Sequence, residues 1–398
     1  MNKRILVLVA VVTSFGPFSM DLYLPALPEL RDEMGAGAAA VQLTVTACIL
    51  GLGLGQLLAG LIPESRGRKP VLLVGMSCWV VATLACAAAP TIAVLTAARV
   101  AQGISAGVAI AMARVVISDL DPVNLTRHLS RMMLVLAAVP VLAPTIGGFA
   151  LMAGGWRFLF VLLAAVGVVF TLVAWRQMPE SLHLDERVRR HSVLARYGEL
   201  LRNRRFQVPV LGSALGMGIM FAYIGESSFV FRDGYGFGDI QYGLLFGCNA
   251  VALIAGFQLS PWLQTRLGDR RLVATAGVVG ACSALTMPVS STLAPGQAAP
   301  VVVALMLVLG SAGLIVPVTS ARALLAMPEH RTIASGLMGA CQFFLGALVG
   351  ALPAMLDVGG PAAPLGLTAA AALAVITVTA ARPVPVVEPA AMEVPDAA

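Results

Sequence analysis

Charge is what this chain has least of. Acidic and basic residues make up 12% of its 398 positions, about half the ~25% usual in a soluble domain. Aromatic residues stand at only 6%, two of the 26 basic residues are lysines, and there are four histidines, all in or near polar loops. Hydrophobic residues fill 59% of the chain and the mean hydropathy is +0.89. A chain so poor in polar surface cannot fold as a soluble globule. The six cysteines (Cys48, Cys78, Cys86, Cys248, Cys282 and Cys341) form no CxxC pair and all fall in apolar runs. That excludes a disulfide framework and a thiolate metal site and leaves buried thiols. No Walker lysine motif occurs, which excludes an ATP-driven pump. Gly51-Leu-Gly53-Leu-Gly55 lies inside an apolar run with no strand before it and reads as helix packing. No nucleophile–base pair or metal cluster appears, so neither an enzyme nor catalytic residues nor a cofactor are expected.

Apolar runs are what the chain does have. Twelve spans are predicted, at 4–29, 39–62, 71–90, 92–116, 132–153, 157–176, 207–231, 241–263, 272–293, 299–321, 333–355 and 361–381. About 20 residues cross a bilayer, so the length holds twelve helices and little else. The fold class is an all-α membrane protein. Lys3 and Arg4 before an apolar run mimic a signal peptide, but the run extends to Pro28 without a small-residue cleavage site and reads as a retained first helix. Basic residues cluster in alternate loops, with Arg31, Arg157 and Arg232 alone on the outer side. By the positive-inside rule both termini are cytoplasmic. The net charge of +6 therefore reports topology, and no nucleic-acid partner is implied.

The arginine-rich segment 177–205 divides the spans six and six, giving bundles at 1–176 and 206–381 and a disordered tail at 382–398. It reads as a solvated cytoplasmic linker, with a short amphipathic helix over 193–201 suited to anionic lipid. The halves repeat weakly. Gly55-Gln-Leu-Leu-Ala-Gly60 followed by Arg66-Gly67-Arg68-Lys69 has an echo in Gly256-Phe-Gln and Arg266-Leu-Gly268-Asp-Arg270-Arg271, at an offset of 201. Parallel six-helix repeats are the build of a rocking transporter with a site at mid-membrane. The same offset carries Asp21 to Ala222, one turn before Glu226.

Few charges fall where hydrocarbon should surround a helix, and each such charge normally faces a partner or an aqueous path. Asp21, in Phe15-Gly-Pro-Phe-Ser-Met-Asp21-Leu-Tyr-Leu-Pro25, lies about 12 Å below the outer surface at 1.5 Å per residue, and Arg99 lies about as deep from Thr91. The two can face each other, an arrangement suited to loading and releasing a proton. Otherwise Asp21 caps a half-helix broken by Pro25 and Arg99 bonds to carbonyls. Arg99-Val-Ala-Gln102-Gly103 sets small residues beside that cation. Arg114 either snorkels, pairs with Asp119 or serves transport. Glu226 binds a cationic substrate, transfers protons, or is solvated in a vestibule. Tyr23, Gln102, Arg114, Tyr223, Glu226 and Asn249 are the candidate substrate-binding residues, with packing as their alternative role. Glu64, Arg66, Gly67, Arg68 and Lys69 surround a tight turn that can act as an ion-pair latch. Two prolines and a diglycine in Pro140-Val-Leu-Ala143-Pro144-Thr-Ile-Gly147-Gly148 predict a bent, close-packed fifth helix.

These motifs resemble the major facilitator superfamily, and within it the twelve-helix drug–proton antiporters. Asp21 to Pro28 resembles that group's first-helix motif, Gly60 to Lys69 the loop signature between helices two and three, Arg99-x-x-Gln102-Gly103 the fourth-helix motif, and Pro144-Thr-Ile-Gly147-Gly148 the antiporter motif. Gly67-Arg-Lys-Pro70 together with Ala143 to Gly148 is most similar to the bicyclomycin and chloramphenicol resistance subfamily. The resemblance implies two six-helix bundles, export of small amphipathic drugs driven by the proton motive force, and a monomer in the bacterial inner membrane among lipids. It implies proton coupling at Asp21 and Arg99, a gate latch at Glu64 to Lys69, and an antiporter hairpin at Pro144, Gly147 and Gly148. A proton-coupled carrier of a native sugar or small peptide, and a receptor with a transporter fold, are the alternatives.

Overall fold

A computed structural model describes residues 3–62, 66–181, 193–294, 296–326, 330–356, 358 and 360–381. Glu64 of the expected latch, the linker arginines Arg187, Arg189 and Arg190, and the tail 382–398 lie outside the described residues. Among the described residues every regular element is helical, and eleven stretches are long and apolar enough to cross a membrane.

The first half comprises α1 (Lys3–Asp21), α2 (Leu27–Glu33), α3 (Ala38–Leu61), α4 (Arg68–Ala87), α5 (Ile92–Leu120) and α6 (Leu125–Gln177). A short helix α7 (Val193–Arg202) follows. The second half comprises α8 (Arg204–Ser228), α9 (Asp239–Leu267), α10 (Asp269–Leu293), α11 (Ala299–Leu325), α12 (Arg331–Ala351) and α13 (Ala363–Ala381). α1 stops at Asp21 because Pro25 has no N–H to give the Asp21 carbonyl, and a 3-10 turn at Leu24–Ala26 leads into α2.

The expected spans 132–153 and 157–176 both fall in α6 and meet at Gly154 and Gly155, the two residues with non-helical backbone. Gly155 sits at φ 70°, and the Trp156 N–H donates to Glu29 of α2 at 3.3 Å. The turn is thus capped by an acid at a helix start. The helical run passes Pro140 and Pro144 without a break, so the interruption of the fifth span lies beyond its prolines, at the diglycine where a positive φ is needed.

Glycines set the closest contacts. A Cβ at Gly55 would stand 2.0 Å from the Ile104 carbonyl and one at Gly107 2.3 Å from the Leu52 carbonyl, so α3 and α5 meet backbone to backbone. α9 and α11 repeat this contact: a Cβ at Gly256 would stand 2.4 Å from the Gly310 carbonyl and one at Gly313 2.6 Å from the Leu253 carbonyl. Gly55 and Gly256 carry the sequence offset of 201. So do Gly67 and Gly268, which precede α4 and α10 with φ of 80° and 73°. Lipid tails give no hydrophobic drive for helices to associate, so small residues that admit close packing hold such bundles. Val74, Val81, Leu172, Trp175, Val251 and Val303 point outward as an apolar belt.

The halves share apolar core at the arginine-rich end, where Ala321, Leu324, Ile333, Leu337 and Met338 join the first half's cluster. At the other end the cluster of Tyr23, Leu30, Trp156 and Phe160 belongs to the first half alone. The linker helix α7 packs on protein: Leu200 is buried and the Tyr197 hydroxyl donates to the Leu57 carbonyl at 2.7 Å. Gly55→Ala forces two backbones apart and is expected to destabilise by about 1–3 kcal/mol or more. Gly148 has nothing within 4 Å of its Cβ position, so Gly148→Ala should leave thermal unfolding in detergent unchanged. Equal losses in the two variants would contradict this packing.

Candidate functional site

Arg99 lies about two turns into α5, fully buried. Its Nη1 donates to the Ser19 carbonyl at 3.1 Å and to Gln102 Oε1 at 2.7 Å, and its Nε to the Thr44 carbonyl at 3.4 Å. The guanidinium also stands 4.9 Å from the Tyr23 ring centre and 5.8 Å from that of Phe160, where a cation gains from the ring faces. Gln102 passes the chain on to Thr83 at 2.8 Å, and the Tyr23 hydroxyl pairs with Thr44 at 3.0 Å. Arg99, Gln102 and Tyr23 therefore form one network that ties α5 to α1, α3 and α4. In this conformation Arg99 is bonded to carbonyls, and its Nη2 is buried without a partner among the described residues.

Asp21 is half-buried at the last residue of α1. No hydrogen bond or ion pair joins it to any described residue, so the expected face-to-face pair with Arg99 is absent from this conformation. Arg99 instead grips α1 at Ser19. A Cβ on Gly147 would stand 2.2 Å from the Leu22 carbonyl, so that glycine lets α6 close on the residue next to Asp21. Gly148 touches nothing in the same sense. Pro144 lies one turn before Gly147 in the same helix. The motif thus acts through Gly147 at the seam of α1 and α6.

In the second half the Asn249 amide donates to the Tyr223 hydroxyl at 3.4 Å, and the Tyr223 ring stacks on Phe246 with centres 5.4 Å apart. Asn249 Oδ1 is buried without a partner. Glu226 is partly exposed one turn along α8 from Tyr223 and bonds to no described residue. Tyr223 and Asn249 are thus brought together, and Glu226 is not. Asp21 and Glu226 do stand alike, each at or within two residues of the end of its half's first long helix.

Of the expected latch, Gly67, Arg68 and Lys69 form a turn that engages acids, and Glu64 lies outside the described residues. Arg66 is exposed, and Gly67 turns the chain at positive φ so that the backbone N–H groups of Arg68 and Lys69 point at one carboxylate. That carboxylate is Glu180, at 2.7 Å from Arg68 N and 3.3 Å from Lys69 N, placed to offset the positive start of α4. The Arg68 side chain reaches Asp119 at 3.3 Å and also bonds Thr332 of α12. Arg331 of α12 donates to Asp119 at 2.9 Å and to the Ser118 carbonyl at 3.0 Å. Asp119 therefore joins the halves. Sequence reading missed Glu180, Arg331 and Thr332; an acid just after the sixth span and a basic residue at the start of the eleventh were the available signals. Of the alternatives for Arg114, pairing with Asp119 does not occur in this conformation: Arg114 lies more than a turn deeper and donates to Gln56 Oε1 at 3.0 Å. Beside this clamp, His128 lies 2.8 Å from Asp121 and holds that carboxyl below the usual carboxylate range.

One charge-assisted bond of about 1.5–3 kcal/mol shifts a two-state ratio roughly tenfold or more. Asp119→Asn is therefore expected to part the halves at this end. Spin labels at Val123→Cys and Thr265→Cys, which flank the cleft between α6 and α9, should gain a longer distance in a background without native cysteines. An unchanged distribution would contradict the clamp.

The Major Facilitator Superfamily profile matches residues 9–351. The chain is 26% identical to a bicyclomycin resistance protein homolog of Haemophilus influenzae, over 92% of each chain. It is 28% identical to multidrug resistance protein D of Escherichia coli K12, over 89% of each. It is 30% identical to a chloramphenicol resistance protein of Pseudomonas aeruginosa, over 62% of this chain and 60% of that one. The fold matches a structure of the proton:xylose symporter XylE with bound 6-bromo-6-deoxy-D-glucose, at a TM-score of 0.74 and 14% identity over 95% of this chain and 94% of that one. With its spans, its glycine-packed repeats and its interhalf clamp, the chain belongs to the Major Facilitator Superfamily, a multi-pass membrane transporter and not an enzyme, with drug-efflux proteins among its relatives.

Proposed function

We propose that this transporter exports small amphipathic antibiotics, phenicols among them, in exchange for protons. It acts as a monomer by alternating access across the bacterial cytoplasmic membrane. Dividing α6 at Gly154 and Gly155 makes twelve crossings in two six-helix bundles, which puts both termini on the arginine-rich, cytoplasmic side. The proton motive force is the energy source; each charge moved across 100 mV contributes about 2.3 kcal/mol.

One observation carries this reading: Asp21 is a half-buried carboxyl at the break of α1, with no ion pair to any described residue. A carboxylate already locked to an arginine would resist neutralisation. Asp21 is not locked, and it sits beside the seam where Gly147 of α6 touches Leu22. In this reading, protonation from outside removes the charge and substrate leaves outward. Release of the proton inside then resets the carrier. The cytoplasmic end is clamped by Asp119 between Arg68 and Arg331, which fits a carrier whose access lies on the outer side. Resistance proteins among the relatives support the substrate class.

Inverted membrane vesicles with an acid interior and a pH-sensitive dye test the exchange. Chloramphenicol should release protons from vesicles carrying wild type, and Asp21→Asn should abolish that release while expression is unchanged. Release that survives Asp21→Asn would contradict the role of Asp21, and no release from either would contradict phenicol–proton exchange.

A further inference from the structure

Arg114 is a second buried cation, and its surroundings are unlike those of Arg99. It lies in α5 with 6% of its surface exposed. It faces a cleft between the halves that is lined by Thr13, Met132, Met133, Met217, Gln342 and Phe343 among others. Its Nη1 donates to the neutral amide of Gln56, and no carboxylate among the described residues pairs with it. Gln56 is itself fully buried, and its Nε2 has no hydrogen-bond partner among the described residues. The site thus holds a positive charge met by one neutral acceptor, beside an amide N–H with no acceptor among the described residues. A cation held this way at membrane depth is costly, and an unmet buried donor adds to the cost.

Helix α12 is shaped to cover the pair. A Cβ at Gly339 would fall 1.5 Å from Gln56 Oε1 and 2.8 Å from Arg114 Nη1, and one at Gly336 2.3 Å from the Gln56 carbonyl. With α12 seated, the cleft has a volume of about 20 Å³, room for a water and not for a drug. A drug-sized ligand therefore reaches Arg114 only when the helices around this cleft move apart, and the Asp119–Arg331 clamp bears on α12, one of them.

We infer that Arg114 and Gln56 form an anion-binding subsite, and that the transporter accepts amphipathic carboxylates besides neutral drugs. A carboxylate is an acceptor with two oxygens, matched to a guanidinium fork and an adjacent amide N–H. Its apolar body suits the cleft's three methionines and phenylalanine, which adapt to irregular shapes. The subsite rests on the transport reading above but not on its proton step. If Arg114 serves only packing, its replacement alters stability and discriminates no ligand.

Equilibrium binding of radiolabelled 1-naphthoate and of 1-naphthamide to full-length protein in phosphatidylcholine nanodiscs separates the two roles. Wild type should bind the acid at least about tenfold more tightly than the amide. Arg114→Gln should lose that preference with amide binding retained, and Arg114→Lys should keep part of it. Wild type with no preference, no binding of either compound, or an equal loss of both compounds in Arg114→Gln would overturn the subsite. Arg114→Lys serves if Arg114→Gln fails to fold, since a reduced preference without loss of amide binding is read there, and an unchanged preference would overturn the subsite. Loss of naphthoate binding when phosphatidylglycerol is added to the nanodiscs would assign the site to a lipid headgroup and overturn a free acid as its ligand. Phenicol-driven proton release from the acid-interior vesicles keeps the outcomes distinct. Release without acid preference removes the subsite alone, and acid preference without release removes the proton exchange alone.

Discussion

The carboxylate of Asp119 is shared by arginines from both halves, and the conformation depends on that sharing. Two positive groups, Arg68 from α4 and Arg331 from α12, converge on one acid that is 12% exposed. In water each pair would be worth little, but partial burial raises its weight. Arg68 is aimed there because Gly67 turns the chain and Glu180 anchors the first N–H groups of α4. Once Arg331 is fixed, the start of α12 lies against α3, where Gly336 and Gly339 admit Gln56. The second half holds a fainter copy with the signs exchanged, Asp269 at the start of α10 and Arg322 on α11, at 3.7 Å and more exposed. That pair stays within one half. The repeat therefore supplies two similar loops, and one of them crosses the interface and joins the halves.

Helix α5 carries two buried arginines in opposite circumstances. Arg99 has backbone carbonyls, an amide oxygen and two aromatic rings, and its grip on Ser19 fixes the approach of α1 to α5. Arg114 has one neutral amide and a methionine-lined cleft. The unequal supply of acceptors separates a cation that organises helices from one that awaits a ligand. Asp21 belongs with neither: its helix ends where Pro25 withholds a hydrogen bond, and Gly147 keeps α6 close at that break.

The spans, their order and the 201-residue repeat were legible because each rests on local chemistry. Long apolar runs set the helices, and glycines at matched positions set the contacts between α3 and α5 and between α9 and α11. The positive-φ turns at Gly67 and Gly268 followed from the same echo. Partners across hundreds of residues were not legible. Nothing in the sequence near Asp119 distinguishes Arg114, five positions away, from Arg331 in the other half; only the helix phase and the docking of α12 decide. Spacing from the membrane surface put Asp21 and Arg99 at one depth, but depth does not set azimuth, and Arg99 turns toward Ser19. Gly147 and Gly148 look equivalent as a dipeptide, yet successive helical residues lie about 100° apart, so only the first faces α1.

Opposed movement of proton and drug through one carrier is the central claim, and purified protein in proteoliposomes tests it without other membrane components. A pH gradient is imposed with the electrical potential clamped at zero, and radiolabelled chloramphenicol is followed across the bilayer. Antiport predicts accumulation above equilibrium on the acid side, lost when nigericin collapses the gradient. Simple equilibration, or accumulation on the alkaline side, would contradict it.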